Sequence, residues 1–248
     1  GRRDPPPQEG PRANDTTLPR TEGAHLLLLT VDAMRADRLG RTARDGRPLT
    51  PALDALAARG ARFTRTYTQA PHSSYALSSL HTSEYLHETV ALGQPQPLAT
   101  IADALAARGY RTAALYPEGV FFTEGERLTA YRDARFGFHR ADHNTPRAPG
   151  LVDSAVRELD ETVRQGEPPT FLWVHFFDAH EPYGGEGPTA EARYDDALRR
   201  IDAQVDRLLT HARTSLHREL VVALTADHGE EFGEHGGVYH GSTLYEEQ

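Results

Sequence analysis

The stretch "HLLLLTVDA" (residues 25–33) decides the fold. Its apolar run is unbroken rather than alternating, the pattern of a strand buried on both faces, as in a parallel sheet covered by helices. Two later stretches repeat it, "TFLWVHFFDAH" (170–180) and "ELVVALTAD" (219–227). Helix patterns run between them. "TPALDALAARG" (50–60) places Thr50 at an N-cap, Pro51 at the first helical position and Gly60 just past the end. "PLATIADALAARGYRTAALYP" (97–117) predicts a helix, a stop at Gly109 and a strand over 111–116. "LVDSAVRELDETVRQG" (151–166) is amphipathic, and in 191–213 Tyr194, Leu198, Ile201, Val205, Leu208 and Leu209 form one apolar stripe. "ARFTRTYTQ" (61–69) carries strand-like residues. Strands alternating with helices give an α/β fold, a largely parallel central sheet with helices on both faces. Ligands in such sheets bind outside the carboxyl ends of the strands. Asp32, His175 to His180, and Asp227 with His228 all fall at such ends.

Composition narrows the chemistry. The chain has 248 residues, 38% hydrophobic and 25% charged, with a net charge of −9. That charge gives no general attraction to nucleic acid, and none is expected as a partner. Every basic residue other than histidine is Arg, so lysine Schiff bases and P-loop lysines are out. With no Cys, disulfides, thiolate metal sites and cysteine nucleophiles are out as well. Residues 1–23 are rich in Pro, Gly and Arg, poor in apolar residues, and read as a disordered linker, leaving 24–248 as the catalytic domain. No apolar run is long enough to span a bilayer. The chain begins at Gly and stops at "LYEEQ" just after a dense motif, so it reads as a fragment trimmed at both ends, with its carboxyl-terminal part missing and any membrane tether outside it.

The densest chemistry lies in "TADHGEEFGEHGGVYHG" (225–241), with three histidines and four carboxylates. Adjacent Asp227 and His228 at a turn can share one divalent ion, and Gly229 lets the backbone turn tightly. Oxygen and imidazole ligands leave Zn²⁺, Mn²⁺, Ca²⁺ and Mg²⁺ open. Alone, Asp32 reads equally as a turn aspartate. In "QAPHSSYALSSLHTSEYLH" (69–87) Ser73 stands at a helix start, whose N–H groups favour an anion; a metal-bound hydroxyl there could attack phosphorus or sulfur. Without other residues Ser73 and Ser74 would read as N-caps.

Taken in order, "LLLLTVDAMRADRLG", "TPALDALAARGARFTRTYTQAP", "HFFDAHEPY" and the 225–248 segment resemble the sulfatase-like members of the alkaline phosphatase superfamily. The resemblance runs from about residue 25 to the end. It implies one divalent metal ion at the carboxyl edge of the sheet, held by Asp32, Ser73, Asp227 and His228, with Ser73 as nucleophile. It implies that His180 and His240 contact the substrate's anionic or leaving group. His240 stands where relatives carry Lys or His. Glu230, Glu231, Glu234 and His235 are expected outside the metal shell or in solvent, His72 in a loop, His175 as a satisfied core group, and Arg35 with Asp37 at the site entrance or capping the turn after Asp32. Localisation outside the cytoplasm, in some cases beside a membrane tether, follows by family analogy.

The sequence departs from true sulfatases. Tyr75 and Leu77 stand where their formylglycine motif has Pro or Ala and Arg, and Ala33 replaces a second aspartate. These departures resemble the branch with an unmodified Ser or Thr nucleophile. The expected activity is metal-dependent hydrolysis or transfer at phosphoric mono- or diesters through Ser73, with a small anionic ester or lipid head group as substrate. The alternatives are a sulfuric ester hydrolase and a catalytically silent, metal-stabilised binding domain.

Overall fold

A computed structural model describes residues 22–43, 46–85, 98–121, 129–144 and 147–248; the linker assigned to 1–23 lies almost wholly outside them. Five strands form one sheet: β1 (His25–Val31), β2 (Arg111–Leu115), β3 (Arg140–Asp142), β4 (Thr170–Phe176) and β5 (Leu220–Ala226). Their order is β3-β2-β4-β1-β5, and every pairing is parallel. All seven residues of β4 are buried, as an unbroken apolar run in an inner strand requires.

Alternate side chains of each strand feed two cores. On one face Leu27, Leu29, Val31, Leu172, Val174 and Phe176 pack under α1 (Pro51–Arg59), α5 (Ala148–Arg164) and α6 (Ala190–Ser215). All six stripe residues of α6 are buried there. On the other face Phe171, Trp173, Ala114 and Tyr116 pack against Leu77 of α2 (Ser73–Thr82) and Ala102 of α3 (Ile101–Ala106). Phe136 and Phe138, beyond α4 (Thr129–Asp133), complete this aromatic core. Helices therefore cover both faces, as the alternation of patterns predicts.

One local reading is corrected. "ARFTRTYTQ" forms no strand: Phe63 and Tyr67 are 82% and 73% exposed, and no described strand offers it an edge. Residues that favour β structure do so only where a neighbouring strand and a core face receive them. Thr50 and Gly60 flank α1 at the N-cap and just past the end, as read, although Gly60 is extended at φ −130° and Thr50 makes no side-chain cap bond. A small antiparallel ribbon, β6 (Glu231–Phe232) with β7 (Val238–Tyr239), stands within the glycine-rich segment, where no strand was expected.

Candidate active site and metal centre

Parallel register sets Val31 level with Phe176 on one side and with Ala226 on the other. Asp32, the residues after Phe176, and Asp227 therefore leave the sheet side by side. Directly after Asp32, Ala33 adopts a left-handed φ of 55°. This sharp turn is locked: the Tyr194 hydroxyl donates to Ala33 O at 2.7 Å and accepts from Arg35 N–H at 2.9 Å. Ala33 N–H donates to Asp227 Oδ1 at 3.2 Å, and His228 N–H donates to the same oxygen at 2.9 Å. At the next position the chain runs so close to its own end that a Cβ on Gly229 would lie 2.0 Å from Glu247 O.

Ser73 opens α2 and points into this corner. Its Oγ donates to Asp32 Oδ2 at 2.9 Å and lies 3.2 Å from His228 Nε2. The positive end of the α2 dipole thus faces the site. His228 Nδ1 donates to Gly229 O at 2.8 Å, which leaves the Nε2 lone pair aimed at Ser73 and the carboxylates. His228 Nε2 is 3.8 Å from Asp32 Oδ1 and 3.7 Å from Asp227 Oδ2.

Those two oxygens, Asp32 Oδ1 and Asp227 Oδ2, are buried without a hydrogen-bond donor among the described residues. Leaving such acceptors unpaired in a dry site costs several kcal/mol (about 1–3 for each neutral group, more when charged). Burial pushes both carboxyls up. At Asp32 the hydrogen bond from His175 and the His228 charge outweigh burial and hold the group far below the ordinary carboxylate range. Asp227, buried beside the ionised Asp32, is pushed up. One cation removes both penalties at once, so the donor set fits a divalent metal. Asp32, Asp227, His228 and Ser73 bring oxygen and nitrogen donors to that point. Asp32, His175 and Asp227 also place one ligand-type atom each within 4.8 Å of one another.

His175 is fully buried, as expected of a core group, but it also reaches the site. Register places it opposite Thr30, whose Oγ1 accepts from Trp173 Nε1–H at 2.8 Å and meets His175 Nδ1 at 2.7 Å. The Thr30 hydroxyl hydrogen then goes to Nδ1, and His175 Nε2–H faces Asp32 Oδ2 at 3.4 Å. His175 thereby orients the carboxylate, as residues behind metal ligands commonly do.

The two remaining histidines stand above. The His240 ring lies 4.3 Å from the His228 ring, and His180 lies 5.0 Å from His240. His180 stacks on Phe177 and donates Nδ1–H to Glu181 O at 2.6 Å. Glu230, expected outside the metal shell or in solvent, is fully buried behind His240. Its carboxylate accepts from His240 Nδ1 at 3.1 Å and from Tyr183 Oη at 3.3 Å. Burial lowers the His240 pKa, but the Glu230 hydrogen bond and charge raise it more, so the imidazole is held above its ordinary value. A glutamate two residues past a strand-end histidine was the only signal available.

The other acids and Arg35 hold the frame. Arg35 donates to Asp37 at 3.0 Å, to Glu234 at 2.5 Å and to Glu230 O at 2.9 Å, so it ties the turn after Asp32 to the loop after β5. Glu231 accepts from the backbone of His235 and Gly237. His235 itself stacks on Tyr245 and pairs with Glu247. His72 precedes the helix and is half-buried, its pKa lowered by burial and by His228 and His240.

A parallel sheet with a carboxylate pair, a helix-start serine and imidazoles gathered at one carboxyl edge is the architecture of the alkaline phosphatase superfamily. The sulfatase family model matches residues 24–248, and the chain belongs to that family. No curated protein sequence matches it. Among solved structures it is similar to the lipoteichoic acid synthase LtaP of Listeria monocytogenes (TM-score 0.66, 18% identity, 84% of this chain and 56% of that one). It is also similar to the C-terminal periplasmic domain of EptC from Escherichia coli in complex with Zn (TM-score 0.64, 18% identity, 88% and 68%). A third is the soluble domain of lipooligosaccharide phosphoethanolamine transferase A from Neisseria meningitidis (TM-score 0.65, 18% identity, 91% and 73%). At that identity the likeness shows the fold alone. The chain spans just over half the length of the Listeria protein.

Proposed function

We propose that residues 24–248 form a metal-dependent phosphoester hydrolase or transferase with Ser73 as an unmodified nucleophile. The observation that carries this reading is the contact of Ser73 Oγ with both Asp32 Oδ2 (2.9 Å) and His228 Nε2 (3.2 Å) beside two donor-starved carboxylate oxygens. Asp32, Ser73, Asp227 and His228 would hold the ion. When bound, it supplies positive charge that eases ionisation of the serine hydroxyl and offsets charge on the phosphoryl oxygens.

The chain's own groups do the rest. Ser73 Oγ attacks phosphorus in line, its hydrogen leaving through Asp32 Oδ2, the acceptor it already faces. The phosphorus–oxygen bond to the leaving alcohol breaks, and His240 Nε2 gives that oxygen a proton, Glu230 having kept the imidazole charged. His180, its Nδ1 tied to Glu181 O, presents Nε2 to the same phosphoryl group. Water or an acceptor alcohol then attacks phosphorus and gives its proton to His240, while the Ser73 Oγ–phosphorus bond breaks and Asp32 Oδ2 returns the proton to Ser73 Oγ.

Leu77 favours phosphoric over sulfuric esters. It is fully buried in the aromatic core where a formylglycine motif needs an arginine. The periplasmic, zinc-bound EptC domain supports a location outside the cytoplasm and Zn²⁺ among the candidate ions, and the lipooligosaccharide phosphoethanolamine transferase supports a lipid head group or similar small anionic ester as substrate. The test is turnover of bis-p-nitrophenyl phosphate against p-nitrophenyl sulfate, each with EDTA or added Mn²⁺, Zn²⁺ or Ca²⁺. Metal-dependent phosphodiester turnover supports the proposal. Turnover mainly of the sulfate, with formylglycine at position 73 by mass spectrometry, replaces it with the family's sulfatase reaction.

A further inference from the structure

We infer that Arg147 grips a second anionic group of the substrate, in a recess beside the reacting ester. This rests on the phosphoester reading of the site. A pocket of about 140 Å³ opens between the carboxyl ends of β2 and β4, lined by Pro117, Arg147, His175, Phe177, His180 and Pro182 among others. It adjoins the centre directly, because His175 Nε2 is 3.4 Å from Asp32 Oδ2 and His180 is one of the imidazoles over Ser73. The flat wall is the stack of His180 on Phe177, with ring centroids 4.4 Å apart. Its volume is roughly that of four or five waters, enough for one carboxylate or phosphate.

Arg147 is the only guanidinium in this lining. Its backbone is fixed at the start of α5, where Ala148 N–H donates to both oxygens of Asp178 at 3.1 and 3.0 Å. The buried Asp178 carboxylate lines the same recess and feels the Arg147 charge, but both of its oxygens are already taken by the Ala148 N–H. The Arg147 side chain lies against Gly184: a Cβ there would meet Arg147 Nη1 at 2.0 Å. No ion pair among the described residues uses Arg147. A guanidinium held by packing and exposed to a recess is suited to planar, two-point capture of an oxyanion. Glu181, half-buried in the same lining, is the competing group and would favour an amine instead.

The test is calorimetric binding to the metal-loaded protein of three near-isosteric probes: ethyl phosphate, phosphoglycolate and phosphoethanolamine. One charge-assisted pair predicts that phosphoglycolate binds on the order of tenfold tighter than ethyl phosphate. Arg147→Gln should cut that preference to below about twofold, since the pair is gone. Gly184→Ala keeps the arginine but displaces it, and should weaken the preference in the same direction. Tighter binding of phosphoethanolamine than of ethyl phosphate overturns the inference in favour of Glu181. So does a phosphoglycolate preference that survives both variants, or one absent from the wild type while ethyl phosphate still binds. If ethyl phosphate itself fails to bind, the phosphoester reading falls, and the inference with it.

Discussion

Asp32 and Asp227 each turn one buried, donor-less oxygen toward the same point, and the His228 Nε2 lies 3.8 and 3.7 Å from those two atoms. In the absence of a cation the pair is a liability: one carboxylate ionises and forces the other toward its protonated form. With a dication both ionise. A saturating ion at a hundred times its Kd should stabilise the fold by about 2.7 kcal/mol, a rise of roughly 5–10 °C in Tm. Asp227→Asn removes the repulsion, so it should leave the metal-free protein at least as stable while abolishing that rise. Differential scanning fluorimetry with EDTA and with Mn²⁺ or Zn²⁺ checks both parts.

In the proposed mechanism Glu230 acts through His240. Glu230→Gln keeps the size of the side chain but loses the charge that fixes the Nδ1–H tautomer, so kcat should fall about 10- to 100-fold with a smaller change in KM. In a His240→Ala background the same substitution should cost almost nothing, because coupled residues are not additive. Additive losses in the double variant would place Glu230 in a separate structural role.

Some of this was legible in the chain and some was not. The unbroken apolar runs ending in Asp32, Asp178 and Asp227 define a parallel sheet and its working edge, because burial on both faces admits no alternation. The α6 stripe reads correctly for the same reason. His175 and Glu230 could not be read that way. The role of His175 depends on register with Thr30, 145 residues away, and that of Glu230 on a ten-residue loop that returns His240 to it. The 61–69 segment misled because β propensity carries no information about whether a partner strand is present.

Glu167 ties three chain segments together at the opposite end of the sheet. It accepts from His217 N–H at 2.6 Å, Arg218 N–H at 2.9 Å and His25 Nε2 at 3.2 Å. Burial alone would raise its pKa, but these donors outweigh it and hold the carboxyl down at about 2, against an ordinary 4.5. A depressed pKa contributes stability that is complete above the ordinary value and is lost as pH falls from about 4.5 toward 2. Glu167→Gln should therefore be less stable at neutral pH and should show a flatter fall in urea midpoint across that acid window. A parallel pair of curves would remove Glu167 from the acid response.

Thr30 sets the His175 tautomer. Thr30→Val keeps the shape of a fully buried side chain but strands Trp173 Nε1–H and frees His175 Nδ1. Losing those partners should cost about 1–3 kcal/mol of stability. It should also weaken metal affinity by roughly tenfold or more through Asp32. Urea unfolding and metal titration measure the two effects separately.

The central claim is that Ser73 Oγ forms the bond to phosphorus. The most direct measurement is mass spectrometry of rapidly quenched protein mixed with bis-p-nitrophenyl phosphate and metal. The expected result is a phosphoryl adduct on the peptide carrying Ser73, absent with EDTA and absent in Ser73→Ala, whose turnover drops by orders of magnitude. An adduct on another residue, or near-normal turnover by Ser73→Ala, would contradict it.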